Sequence, residues 1–189
     1  MLTFSEQMPR RDDLPLRWLA KLILRFSGWT LQGELPDVRK LVLCAAPHSS
    51  NWDFVYASAM IIHHGIDVTI MMKQEAFFWP LAGFFRRLGF VPIDRKAPKG
   101  AVGEAIRLMR DSESCWLVMT PEGTRKQVQR WKSGFLRIAN ETDVPVALLA
   151  LDYQNKRVVF DKLVHPSGNI ETQLEEIMAH YDKYKDKDD

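Results

Sequence analysis

The sequence predicts an α/β fold in which a largely parallel central sheet is flanked by helices and preceded by an N-terminal amphipathic helix. Three observations carry that prediction. From residue 40 onward, short apolar runs alternate with segments of helical periodicity, the pattern of strands joined by crossover helices. With 189 residues, 46% hydrophobic and 26% charged, the chain has the composition of one globular domain with a sizeable core, not of a disordered, collagen-like or coiled-coil chain. Finally, no internal repeat, low-complexity tract or Gly/Ser linker interrupts it. Residues 1–189 therefore read as a single domain, with an amphipathic segment over 1–39, a core over 40–165 and a frayed charged tail over 182–189.

The first element is a helix over Leu14 to Phe26, with Trp18, Leu22 and Phe26 on one face and Arg17, Lys21 and Arg25 on another. A basic amphipathic helix suits either a membrane interface or the domain's own core. Strands follow near Leu41 to Ala46, Val68 to Met72, Phe90 to Ile93, Ser114 to Thr120, Val144 to Leu151 and Arg157 to Asp161. Helices run between and after them, from Asn51 to His64 with Gly65 as a stop, Ala101 to Arg110, Gly134 to Glu141 and Ile170 to Tyr184. In such a sheet, ligands bind at the carboxyl ends of the strands.

Charge and cysteine content narrow the function classes. The net charge of +2 is too small for a nucleic-acid binder. From Lys73 to Arg137, however, thirteen Lys or Arg face six Asp or Glu, which suggests an anionic ligand. Cys44 and Cys115 lie in apolar strand-like runs and read as buried reduced thiols. Residues 1–13 lack the apolar core of a signal peptide, so the expected location is the cytoplasm or a membrane face turned toward it. The longest uncharged apolar stretch, Ala76 to Phe85, falls well short of the roughly 20 residues a spanning helix needs.

Two constellations at strand ends carry chemistry. After the first strand comes Pro47-His48-Ser49-Ser50-Asn51-Trp52-Asp53. Ser49, Ser50 and Asn51 are good N-caps, which puts Asp53 in the first turn of the next helix, from where its carboxylate can orient the His48 ring. With one ring nitrogen held, the other is free to take a proton from an attacking hydroxyl. A second turn, Thr120-Pro121-Glu122-Gly123-Thr124-Arg125, pairs a flexible glycine with a hydroxyl and a guanidinium, a set suited to a phosphate and its neighbouring hydroxyls. Lys73 and Arg95 place further cations at strand ends. His63 and His64 are adjacent residues at a helix end whose side chains should point apart, with no Cys or His at zinc-ligand spacing, so no metal is expected. Trp131, with Lys132, follows the Pro-Glu-Gly-Thr-Arg block and reads as core packing, the alternative being a place at the border of the site.

In order and separation these motifs resemble those of the glycerolipid acyltransferases, the family that includes 1-acylglycerol-3-phosphate acyltransferase. The resemblance rests on His48 and Asp53, Gly89 to Arg95, Pro121 to Arg125, and Val144-Pro145-Val146, and covers roughly Lys40 to Leu151. The chain is most similar to a short bacterial branch, marked here by Ser-Asn-Trp-Asp-Phe at 50 to 54, Trp131-Lys132-Ser133-Gly134-Phe135, Asp152-Tyr153 and Pro166-Ser167-Gly168. It departs from many members in having Pro47 before the histidine and Pro92 in the second motif, and in lacking their extra membrane-anchoring segments.

The resemblance implies direct acyl transfer from acyl-CoA or acyl-carrier protein, acting as co-substrate, to a hydroxyl of a lysophospholipid, with no cofactor. His48 would be the general base and Asp53 its orienter. Lys73, Arg95 and Arg125 would hold phosphate, and Glu122, Gly123 and Thr124 would shape the glycerol site. The residues agree in one respect: the sequence contains no Gly-x-Ser-x-Gly elbow for a serine nucleophile. Other acceptors (an aminolipid or glycolipid), a thioesterase, and a non-catalytic lipid-binding protein remain open on these residues. The expected partners are a lysolipid acceptor, an acyl thioester and a membrane surface, met peripherally through the first helix or through Ala76 to Arg87; the alternative for the latter is a buried helix beside an acyl channel.

Overall fold

The computed structural model describes residues 7–47, 51–94, 100–123 and 130–184, Asn51 by its backbone alone. Seven strands form one sheet in the order β1-β7-β6-β2-β5-β3-β4. They are β1 Thr30–Gly33, β2 Lys40–Ala46, β3 Thr69–Lys73, β4 Phe90–Ile93, β5 Cys115–Met119, β6 Val146–Asp152 and β7 Arg157–Val164. Every neighbouring pair is parallel except the β6–β7 hairpin. The helices are α1 Leu14–Ser27, α2 Asn51–His63, α3 Leu81–Arg87, α4 Gly100–Asp111, α5 Gly134–Thr142 and α6 Ile170–Tyr181.

Strands β2 and β6 are covered on both faces, and alternate residues go to alternate cores. On one side Val42, Cys44, Ala46, Val146, Leu148 and Ala150 pack with Met109 of α4, Phe135 and Leu136 of α5, and Ile177 and Tyr181 of α6. On the other, Leu41, Leu43, Ala45, Ala147, Leu149 and Leu151 pack with Ala20 and Leu24 of α1 and with Ala59 and Met60 of α2.

Local signals explain the helix ends. Asp13 caps α1 by accepting from the Leu16 N–H, and Gly28 closes it in the left-handed conformation, its N–H donating to Leu24 O. The helix buries Ala20 and Leu24, so the stripe of Leu14, Trp18 and Phe26 faces outward, with Trp18 65% and Phe26 85% exposed. Among the described residues no helix is long and apolar enough to cross a membrane.

The structure differs from the sequence reading at four places and decides a fifth that was left open. Strand β1 went unpredicted because four residues containing one large apolar side chain show no alternation; it forms by long-range parallel pairing with β7. Strand β7 runs on to Val164 past a bulge, where Leu148 pairs Lys162 and Leu149 pairs Phe160, leaving Asp161 as the extra residue. Asp161 accepts from His180 Nε2 at 2.6 Å and Tyr184 Oη at 2.9 Å and lies 2.6 Å from Lys183 Nζ. Residues 182–184, expected as frayed tail, are therefore a docked 3₁₀ turn. The segment Ala76 to Arg87 is not a buried helix: α3 is confined to its second half and buries no residue, while Phe78, Trp79, Leu81 and Phe84 are exposed. Last, the His63 and His64 rings do not point apart but meet edge to face, with centroids 5.0 Å apart.

Candidate active site

Strand β2 lies at the point where the sheet's connections reverse. The chain leaves it through α2 toward β3 and returns through α5 to β6 on its other side, so the carboxyl end of β2 is the topological switch point, the place where such sheets bind ligands. Register defines what flanks it. Pairing of Cys44 with Met119 carries the turn that starts at Thr120 alongside the end of β2, and pairing of Ala46 with Ala150 carries Asp152 and Tyr153 to the same edge. Lys73 ends β3 on this edge and is exposed.

Asp53 sits in the first turn of α2, as the capping pattern predicts, yet it is fully buried at 0% exposure. An acid so near a helix N-terminus benefits from the helix dipole, but a buried carboxylate also needs donors. Tyr153 Oη is one of them, donating to Asp53 Oδ1. Aromatic rings hold this pair in place. Trp29 stands edge-on to Tyr153 at 5.1 Å and stacks on Tyr56, one turn beyond Asp53, at 4.6 Å. Tyr56 stacks in turn with Trp52 at 5.9 Å.

On the other side of β2, the turn Thr120 to Gly123 is closed by the Gly123 N–H donating to Thr120 O, and is tied to the start of α5 by the Lys132 N–H donating to Pro121 O at 2.8 Å. Gly123 has φ +64, and a Cβ there would lie 2.7 Å from Lys132 Nζ. The lysine thus folds over the bare glycine and adds a cation that the sequence reading had set aside in favour of core packing. Trp131 beside it does pack in the core, 5.2 Å from the Tyr181 ring. Glu122 is half-buried with Oε2 shielded from solvent. Burial pushes the Cys44 thiol far above its ordinary range, and the Glu122 charge adds to that rise. Burial raises Cys115 as well. Neither cysteine supplies a thiolate for covalent catalysis.

Of the residues proposed from sequence, Asp53, Lys73, Glu122 and Gly123 all fall on the strand-end edge. His48, Arg95, Thr124 and Arg125 lie outside the described residues. Tyr153 was visible in the sequence only as part of a branch marker, because nothing in a hairpin-turn tyrosine announces contact with a residue one hundred positions earlier. Lys132 was visible only within a branch marker and as the neighbour of a tryptophan.

The switch point of this mostly parallel sheet thus has a buried acid on one flank and a glycine turn and lysine on the other. The family model described as Acyltransferase matches residues 30–151, well over half the chain, and the chain belongs to the acyltransferase family. In fold it is similar to the 1-acyl-sn-glycerophosphate (LPA) acyltransferase, PlsC, of Thermotoga maritima, with a TM-score of 0.60 and 18% identity over 88% of this chain and 77% of that one. No curated protein sequence matches the chain significantly.

Proposed function

We propose that this acyltransferase moves a fatty acyl group from an acyl thioester, acyl-CoA or acyl-carrier protein, to a hydroxyl of a lysophospholipid such as 1-acylglycerol-3-phosphate. The observation that carries the reading is the buried Asp53 at the head of α2, five residues after His48 and beside the carboxyl end of β2. In the proposed step His48 takes the proton of the acceptor hydroxyl as its oxygen attacks the thioester carbonyl. The tetrahedral intermediate then collapses with loss of the thiolate, which receives that proton, so the products are an ester and a free thiol. Asp53 orients His48 and stabilises its imidazolium. Lys73, Arg95 and Arg125 hold the acceptor phosphate, and Glu122, Gly123 and Thr124 frame its glycerol. Such an acceptor lies in a bilayer, and the outward apolar stripe of α1, bordered by Arg17, Lys21 and Arg25, suits peripheral contact with the cytoplasmic face of a membrane.

The test is mass spectrometry of products from the purified protein with palmitoyl-CoA, or palmitoyl-carrier protein, and a panel of lysolipids, comparing wild type with His48→Ala. A diacyl product that needs both acceptor and His48 is expected. Release of thiol without acylated lipid would make the enzyme a thioesterase, and full activity of His48→Ala would remove the base assignment.

A further inference from the structure

We infer that Tyr153 is a positioning residue for the catalytic pair, acting through Asp53; the inference rests on the acyl-transfer reading above. A buried carboxylate that must orient an imidazole has two requirements. Its charge has to be kept by donors that do not neutralise it, and its plane has to be fixed so that the oxygen facing the base does not swing away. A phenol meets both, because it is a neutral donor on a rigid ring with two torsions, and here it donates directly to Asp53 Oδ1.

The surrounding chain is built to hold that phenol still. Tyr153 opens the β6–β7 turn, and the preceding residue, Asp152, organises the turn by accepting from the Asn155 N–H at 3.0 Å and from Asn155 Nδ2. Asp152 also pairs with Arg157 at 3.0 Å, and Arg157 donates to Gln32 Oε1 at 2.7 Å. Lys156 completes the turn in the left-handed region at φ 51, and its carbonyl accepts from the Thr30 N–H. Non-glycine residues take that conformation uncommonly. Trp29, the residue next to that donor, is 5% exposed and touches both the Tyr153 ring and Tyr56 on α2. One buried tryptophan thus bridges the phenol's ring and the helix that carries the carboxylate.

The test is steady-state kinetics of Tyr153→Phe on the full chain, with palmitoyl-CoA and the acceptor found for wild type, alongside thermal melts. The expected result is a fall of roughly 10- to 100-fold in kcat, the scale of losing one hydrogen bond to a charged group, with KM for both substrates unchanged. In an Asp53→Asn background the same substitution should cost much less, since the group it acts through is gone. Tyr153→Leu controls for ring packing, and should lose about as much kcat as the Phe variant while melting lower. Full kcat in Tyr153→Phe would overturn the inference. So would a raised KM with kcat intact, which would make the phenol a substrate contact, or an equal loss in the Asp53→Asn background. Release of thiol by wild type without any acylated lipid would instead sink the acyl-transfer reading itself.

Discussion

The two faces of the sheet are finished in opposite ways. Over one, α4, α5 and α6 close a core in which Phe135, Leu136, Ile138 and Tyr181 are essentially inaccessible. Over the other, α1 and α2 bury only part of their apolar surface. All ten large hydrophobic side chains found exposed among the described residues lie on α1, on α2, or in the Phe78 to Phe84 segment. One helix layer is folded for stability, while the other keeps large apolar side chains in contact with its surroundings. The largest effect that would test this contrast is on the closed side. Phe135→Ala should cost about 3–5 kcal/mol, because a fully buried ring is lost and α5 cannot collapse into the space. Scanning calorimetry should show a drop in Tm on the order of 10 °C. A drop no larger than that of a surface substitution would mean that this layer is not the rigid one.

Acid should separate the faces next. At the end of α2, burial pushes His64 down to about 4, with help from the His63 and Arg17 charges, and burial with Arg17 and Lys21 lowers His63 too. Unfolded histidine titrates near about 6.5, so between there and about 4 the unfolded chain binds protons that the folded chain does not. Stability on the α1–α2 side is therefore complete above about pH 6.5 and declines as pH falls toward 4. Across the sheet, burial raises Asp161, but the hydrogen bonds from Lys183, Tyr184 and His180 outweigh it and hold the carboxyl below its usual value. Its contribution is present above about pH 4 and is lost only below that. Calorimetry from pH 7 to 4.5 should show Tm falling, and His64→Asn should flatten the slope while Asp161→Asn leaves it in place. A slope unchanged in His64→Asn would assign the acid sensitivity elsewhere.

Most of the closed face was legible in the sequence because its signals are local. Apolar runs such as Leu41 to Ala46 and Val146 to Leu151 announce buried strands, and the 3.6-residue pattern announces α4, α5 and α6. The site was half legible for the same reason. Asp53 follows from a capping pattern within a few residues, and Gly123 from a turn. What stayed hidden depends on pairing between distant positions. Strand β1 has no pattern of its own, the docked 182–184 turn needs the bulge at Asp161, and Tyr153 matters only because the β2–β6 register carries it to the head of α2. The first helix was legible only as a choice between a membrane interface and the domain's own core. Its most apolar stripe was visible, but periodicity could not say that the smaller residues Ala20 and Leu24 would face the core and leave that stripe outside.

That outward stripe makes the smallest expected effect on stability and the sharpest test of the open face. Trp18 and Phe26 lose little contact with water on folding, so Trp18→Ser with Phe26→Ser should shift stability by no more than about 0.5 kcal/mol per site. The N-terminus of α1 is anchored separately, by the bidentate pair between Asp13 and Arg87 at 2.6 and 2.9 Å, which ties it to the end of α3. The helix should therefore stay in place while its surface changes. If the stripe meets lipid, sedimentation with vesicles containing anionic phospholipid should drop steeply in the double variant. Raising the salt should weaken wild-type binding further, because Arg17, Lys21 and Arg25 flank the same stripe and their attraction to anionic headgroups is screened. Unchanged vesicle binding together with a large loss of Tm would reverse the contrast between the faces, making α1 part of the core and leaving lipid contact to Phe78, Trp79, Leu81 and Phe84.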